Sequence, residues 1–162
     1  MSYSQKYTIV QFLEPIQPQQ TFSMEEWPLH ITLADVFAIN LDGSFIKELA
    51  SHLSSKECIS TETMEEAQLG DHNNPTIVTL IKNTPELQSL HDELVNFLQA
   101  HGALFNSPQF THEGFLPHST HQKHAHLETG NKINIIDLSL VDMFVDNNWK
   151  QRKVLESFKL KS

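Results

Sequence analysis

Two short stretches decide how this sequence is interpreted: residues 27–33 read WPLHITL, and residues 115–120 read FLPHST. Each places a histidine two residues before a threonine and shortly after a proline, at the start of a segment that favours β-structure. Side chains i and i+2 of a strand point to the same side. His30 should therefore project beside Thr32, and His118 beside Thr120.

The two pairs carry the groups that phosphodiester chemistry needs. A neutral imidazole accepts a proton, an imidazolium donates one, and a hydroxyl donates a hydrogen bond to a phosphate oxygen. If the pairs faced each other, one histidine would act as base and the other as acid on a phosphate held by the threonines. The other interpretation is that these are two unconnected histidines on the surfaces of strands.

Counting alone does not decide between these interpretations. The chain has ten histidines and eleven threonines, which give about 0.7 His-x-Thr triplets by chance. The context favours a shared site, because both triplets start a strand, both follow a proline and an aromatic residue, and each falls in a different half of the chain.

The rest of the chain predicts an α+β fold with the order β-β-α-β-β-α-β-β-β. Helix starts are predicted at Asp42-Gly43-Ser44 and at Thr84-Pro85, and Gly102 is predicted to end the second helix. Strands are predicted over residues 7–13, 30–38, 57–66, 76–81, 118–120, 132–144 and 149–160. Residues 16–21 and 105–114 are predicted loops, and residues 70–75 and 146–148 predicted turns. Two helices that each follow a pair of strands indicate two similar halves with antiparallel sheets.

Size and composition bound the class of protein. The 162 residues, with no linker-like segment, predict one bilobal domain over residues 1–162, and we expect a monomer. The net charge of -9 argues against a protein that coats duplex DNA. The lone Cys58 excludes an internal disulfide and a thiolate metal cluster. No apolar run is long enough to span a bilayer or to resemble a signal peptide, so we expect a cytoplasmic protein that does not engage membranes.

WPLHITL and FLPHST resemble the two signature segments of the 2H phosphoesterase superfamily, which includes 2′-5′ RNA ligase-like proteins and RNA 2′,3′-cyclic phosphodiesterases. The resemblance extends from about Tyr7 to Leu160. It implies two antiparallel sheets flanked by helices around a central cleft, with a pseudo-twofold relation between the lobes. It also implies catalysis by His30 and His118 without a cofactor or metal, with Thr32 and Thr120 holding the phosphate of a nucleotide or RNA end.

The second motif departs from the expected pattern. Ser119 is more polar than the residue expected between a buried histidine and threonine, and His121 follows where an aliphatic residue is expected. The second motif is therefore predicted to lie at a strand edge or in less regular structure. No arginine is near either motif in the sequence, although Lys123 could contact a phosphate.

Alternatives remain open from the sequence. His118, His121, His124 and His126 fall within nine residues, and such a cluster could bind a metal for hydrolysis. A non-catalytic nucleotide- or RNA-binding module of the same fold is also possible.

Other residues carry weaker expectations. The aromatic side chains of Trp27, Phe115 and Trp149 could stack on a base, although packing is the more common role of such residues. His91 and His101, both placed in the second helix, are predicted to be surface or helix-end residues.

Overall fold

A computed structural model describes residues 5–70 and 73–162 of the chain. Within these residues the chain forms two α-helices and ten β-strands. The helices are α1 (Gly43–Ser54) and α2 (Pro85–Ala100). The strands, in chain order, are β1 (Tyr7–Phe12), β2 (Thr21–Ser23), β3 (His30–Ala38), β4 (Ile59–Leu69), β5 (Thr76–Ile81), β6 (Leu104–Phe105), β7 (His118–Thr120), β8 (Lys132–Ile135), β9 (Asp137–Asp142) and β10 (Gln151–Lys159).

The strands form two sheets in which every pairing is antiparallel. One sheet has six strands in the order β2-β10-β9-β1-β3-β6, and the other has four in the order β7-β5-β4-β8. The α+β fold with two antiparallel sheets is therefore confirmed.

Both helices begin where the capping residues predict. The Asp42 carboxylate accepts a hydrogen bond from the Phe45 N–H at 2.8 Å, and the Thr84 hydroxyl accepts one from the Leu87 N–H at 3.1 Å. Gly102, with φ of 90°, follows the end of α2. Neither helix is long and apolar enough to cross a membrane, and no other helix occurs in the described residues that could do so.

One hydrophobic cluster connects the two sheets and both helices. Side chains with no exposed surface come from the six-stranded sheet (Ile9, Leu33), the four-stranded sheet (Ile135), α1 (Leu49) and α2 (Leu94). Each such side chain stabilises the fold by roughly 1.5–3 kcal/mol relative to an exposed one. The single domain over residues 1–162 remains a prediction, which this shared core favours.

The continuous strand predicted over residues 132–144 is wrong. The chain leaves the four-stranded sheet after Ile135 and enters the six-stranded sheet at Asp137, so β8 pairs with β4 whereas β9 pairs with β1 and β10. Between them Ile136 is half exposed. Apolar residues continue across the crossing without a Gly or Pro, which is why the segment was predicted as one strand. Their phase does change there, from Ile133 and Ile135 to Leu138 and Leu140.

Gln11, in β1, holds the chain at this crossing. Its side-chain oxygen accepts hydrogen bonds from the N–H groups of Ile136, at 2.8 Å, and Asp137, at 3.0 Å. Its side-chain amide group donates to the Phe12 carbonyl and to the Asp137 carboxylate, both at 2.8 Å. Gln11 is buried, so these bonds satisfy backbone groups that no sheet partner reaches.

Four short elements were not predicted. β2 begins at the end of the predicted 16–21 loop, β6 pairs with β3, and two 3-10 turns, Pro108–Phe110 and His112–Gly114, occupy the predicted loop before the second motif. The predicted turn over residues 70–75 lies partly outside the described residues, since residues 71 and 72 are not among them.

The hairpin predicted between the last two strands is confirmed, and its turn can now be classified. Asp146 and Asn147 have φ of 49° and 63°, and the Asn148 N–H donates to the Val145 carbonyl at 2.8 Å. Two successive positive φ angles are those of a type I′ turn, which tolerates Asp and Asn well.

Replacing Gln11 by Leu should destabilise the protein by about 2–4 kcal/mol, because two buried N–H groups lose their acceptor. The measurement is the free energy of unfolding in urea. Gln99→Leu on the exposed side of α2 is the matched control and should change stability by less than about 0.5 kcal/mol. Equal effects of the two substitutions would contradict the role assigned to Gln11.

Candidate active site

The two histidine motifs start strands that meet across the two sheets. His30 is the first residue of β3, which lies between β1 and β6 in the six-stranded sheet, and His118 is the first residue of β7. β7 is an edge strand of the four-stranded sheet, as predicted, and lies against β3. The fold therefore brings the two motifs next to each other.

Both imidazoles are oriented by the same local hydrogen bond. Nδ1 of His30 lies 2.9 Å from the Pro28 carbonyl oxygen, and Nδ1 of His118 lies 2.7 Å from the Leu116 carbonyl oxygen. A carbonyl oxygen only accepts, so Nδ1 carries a hydrogen in each ring. In the neutral form Nε2 is then the basic nitrogen, and in the charged form Nε2–H is the acid.

The environment of His30 favours its neutral form. Burial is the largest influence and lowers the pKa of His30, and a positive charge on His118 lowers it further, while the hydrogen bond to the Pro28 carbonyl acts in the opposite direction.

A cavity of about 460 Å³ opens beside the motifs. Thr32 and His118, one residue from each motif, both line it. His30 and Thr120 do not line this cavity. Thr120 pairs with Val78 in the ladder between β7 and β5, and His30 packs against Trp27 with 4.4 Å between ring centres.

Ser119 is buried although it is more polar than the residue expected at its position in the second motif. Its side chain has no exposed surface, and its hydroxyl oxygen has no hydrogen-bond partner among the described residues. The residue between His118 and Thr120 is thus buried, as a hydrophobic residue at this position would be, even though its strand lies at a sheet edge.

The remaining histidines of the cluster pair with different groups. The Thr79 hydroxyl donates to the Leu127 carbonyl, so it accepts the hydrogen bond from Nε2 of His121 at 2.9 Å. Nε2 of His126 donates a hydrogen bond to the Glu128 carboxylate at 3.0 Å. Among residues 5–70 and 73–162, no three His, Cys, Asp or Glu side chains are placed to hold a metal ion. Lys123 is exposed in the same loop.

Glu14 links the two motif regions, and sequence analysis did not identify it. Its carboxylate accepts hydrogen bonds from the Leu29 N–H, directly before His30, and from Nε2 of His124, at 2.8 Å, in the loop after β7. Burial raises the pKa of Glu14, but the hydrogen bonds from Leu29 and His124 outweigh it and lower the pKa overall.

Arg152, the chain's only arginine, is far from both motifs in sequence but close to the first in space. Its guanidinium carbon lies 5.8 Å from the ring centre of Trp27, whose indole packs on His30. Arg152 is buried and donates hydrogen bonds to the Met143 and Trp149 carbonyls. The pairing of β10 with β9 brings it there, and no local sequence signal indicates this.

Of the three candidate stacking residues, two pack against neighbouring side chains. Trp27 contacts Phe22 at 4.9 Å as well as His30, and Phe115 stacks on His91 with 3.9 Å between ring centres and 6° between planes. Trp149 is 55% exposed.

The prediction that His91 is a surface residue is wrong. Only 2% of it is exposed, because it falls on the buried side of α2 four residues after Leu87. Its Nδ1 donates to the Leu33 carbonyl at 2.7 Å, and its Nε2 accepts from the His112 N–H at 3.0 Å. The prediction for His101 is confirmed: it is exposed at the end of α2, and its Nδ1 donates to the Phe97 carbonyl.

Comparison with known proteins agrees with this fold. The family model of the 2′-5′ RNA ligase superfamily matches residues 8–134. Similar solved structures include E. coli LigT complexed with NADP+ (13% identity, TM-score 0.61, covering 99% of this chain and 100% of that chain). A second is E. coli LigT complexed with 3′-AMP (12% identity, TM-score 0.59, covering 99% of this chain and 100% of that chain). A third is TT0787 of Thermus thermophilus (14% identity, TM-score 0.59, covering 97% of this chain and 98% of that chain). No curated protein sequence matches the chain.

The fold is that of the 2H phosphoesterases, of which LigT and TT0787 are members. The chain belongs to the 2′-5′ RNA ligase superfamily, since the match covers most of its length. The resemblance inferred from the two motifs is thereby confirmed. At identities this low the solved structures establish the fold alone.

Acid should destabilise the protein partly through His91. Burial lowers its pKa in the fold, outweighing the hydrogen bond to the Leu33 carbonyl. The unfolded chain therefore takes up a proton at a higher pH than the folded one, and stability is lost as the pH falls below about 6.5, the ordinary value for histidine. The measurement is urea unfolding at about pH 7.5 and about pH 5.5.

His91→Phe should be less stable at the higher pH by about 2–4 kcal/mol, because the Leu33 carbonyl and His112 N–H lose their partner. Its further loss of stability on acidification should be smaller than that of the wild type. His101→Phe is the control: the hydrogen bond to Phe97 raises the pKa of His101, so its removal should leave the acid loss unchanged or larger. An undiminished acid loss in His91→Phe would refute this account.

Proposed function

We propose that the protein is a metal-independent phosphodiesterase that acts on 2′,3′-cyclic or 2′-5′ phosphodiesters of nucleotides or RNA ends. His30 and His118 carry the acid–base chemistry, and Thr32 and Thr120 hold the phosphate oxygens. The observation that carries this proposal is the matched orientation of the two imidazoles by backbone carbonyls, at strands that lie against each other beside one cavity.

The pKa of His30 supports a division of labour. Burial lowers the pKa of His30, and a positive charge on His118 would lower it further, which favours the neutral form of His30, so His30 is the base and His118 the acid in this proposal. Nε2 of His30 removes a proton from water, and the water oxygen attacks phosphorus. The bond from phosphorus to one ribose oxygen then breaks, and Nε2–H of His118 protonates that oxygen. Reversal of the same steps would give ligation.

Phosphate recognition in this mechanism relies on hydroxyls. Thr32 lines the cavity together with His118, so its hydroxyl can donate to a phosphate oxygen next to the acid. Donors aimed at the oxygens where charge develops lower the barrier, and they act most strongly where water is excluded. E. coli LigT has been crystallised with 3′-AMP and with phosphate, which supports nucleotide phosphate as the ligand here.

Purified protein should hydrolyse at least one member of a panel of 2′,3′-cyclic mononucleotides, cyclic-phosphate-ended RNA and 2′-5′ dinucleotides, in excess chelator. His30→Ala and His118→Ala should each lower kcat/KM by about 10²–10⁴-fold, because each removes one proton-transfer group. The measurement is product formation by chromatography, with circular dichroism to confirm the fold of each variant.

His101→Ala, which removes an exposed histidine outside the cavity, is the matched control and should retain full activity. No turnover on any substrate would contradict the proposal and favour a binding module. Activity that chelator abolishes would favour a metal-dependent hydrolase.

A further inference from the structure

The cavity beside His118 and Thr32 is larger than a phosphate needs. Its volume of about 460 Å³ falls in the range of pockets that bind nucleoside-sized ligands. It extends from the two motif residues along β3 and is mostly apolar, with walls from β5 and from the segment before β7. The part of the cavity away from His118 therefore needs an occupant of its own.

One carboxylate, that of Asp35, lines this mostly apolar cavity. Asp35 is the only acidic or basic side chain among the described lining residues, apart from the two histidines. No hydrogen bond or ion pair to its carboxylate comes from residues 5–70 or 73–162. A carboxylate only accepts hydrogen bonds, through two oxygens that suit a pair of adjacent donors.

A bulge in β3 turns Asp35 toward the cavity. Ile9 pairs with Ala34 but the next residue of β1, Val10, pairs with Thr32, so β3 has one extra residue at Leu33. Leu33 and Ala34 are consequently both buried. A second register shift follows, since Tyr7 pairs with Phe37, and along this irregular stretch Thr32, Leu33 and Asp35 all line the cavity.

The wall opposite β3 is apolar and held in place. Phe115 stacks on His91, and Phe110 and Leu116, both about half exposed, line the same cavity. The backbone between them is anchored to α2, because the His112 N–H donates to His91 and the Gln88 side-chain amide donates to the His112 carbonyl at 2.8 Å. Aromatic and aliphatic surfaces of this kind accept the flat face of a nucleobase.

We propose that this cavity holds the base of the substrate nucleotide and that Asp35 makes it selective for guanine. The assignment rests on the proposed function, which places the phosphate at Thr32 and His118. Asp35 follows Thr32 by three residues, one of which is the extra residue of the bulge, so the two positions are about 7 Å apart along the strand. This is the scale of a nucleotide from its phosphate to its base.

The hydrogen-bonding edges of the four bases decide the order of preference. Guanine presents two adjacent donors, N1–H and N2–H, which match the two oxygens of a carboxylate. Adenine and cytosine present one amino group beside a ring nitrogen that would repel the second oxygen. Uracil presents N3–H between two carbonyl oxygens. The expected order of affinity is guanine first, adenine and cytosine next, and uracil last.

The test measures binding instead of turnover. Calorimetric titrations with 3′-GMP, 3′-AMP, 3′-CMP and 3′-UMP compare the wild type, Asp35→Asn and Asp146→Asn, an equivalent charge removal at an exposed turn outside the cavity. The wild type and Asp146→Asn should bind 3′-GMP at least about tenfold more tightly than 3′-UMP. Asp35→Asn should lose that preference.

A second comparison changes the ligand instead of the protein, so it does not depend on how any variant folds. Inosine 3′-monophosphate lacks the N2 amino group and should bind the wild type several-fold more weakly than 3′-GMP. Equal binding of these two ligands, a preference that survives in Asp35→Asn, or an equal loss for all four bases would overturn the proposal. Because no catalysis is measured, a failure to hydrolyse cyclic phosphates would count against the proposed function and leave this test unaffected.

Discussion

The side chain of Gln11 holds the point where the chain passes from one sheet to the other, and the geometry of the site depends on that passage. Its oxygen accepts hydrogen bonds from the N–H groups of Ile136, which lies between β8 and β9, and of Asp137, the first residue of β9. In the register of the six-stranded sheet Gln11 lies opposite Ile31, next to His30. The four-stranded sheet that β8 enters carries His118 at its other edge. The relative position of the two histidines therefore depends on this buried amide.

Each motif orients its own histidine through a hydrogen bond within the motif. The hydrogen bond from Nδ1 to the carbonyl two residues earlier needs only local backbone geometry, which the nearby prolines help to restrict. It fixes the tautomer and leaves Nε2 for proton transfer. The motifs differ in their surroundings, since His30 packs on Trp27 and His118 lines the cavity. Similar local geometry in different environments is what the proposed assignment of one histidine as base and the other as acid requires.

The sequence was sufficient to predict the elements that depend on local signals. The caps at Asp42 and Thr84, the stripe of α2 and the strand at residues 76–81 all follow from neighbouring residues. The residue pattern also identified the two motifs and their family, whereas the catalytic roles of those residues remain a prediction.

The features that sequence analysis missed depend on distant parts of the chain. The break at Ile136 is held by a residue more than a hundred positions away. Asp35 faces the cavity because of a bulge, and Arg152 approaches Trp27 through strand pairing. His91 did have a local signal, since it lies four residues after Leu87 and three before Leu94 on the buried stripe of α2.

The central claim is that His30 and His118 share one site and act on each other. The most direct measurement is an NMR titration of the His30 imidazole in the wild type and in His118→Ala. The account predicts a higher pKa for His30 in the variant, because removal of His118 removes a positive charge that lowers it. An unchanged pKa of His30 would contradict the shared site.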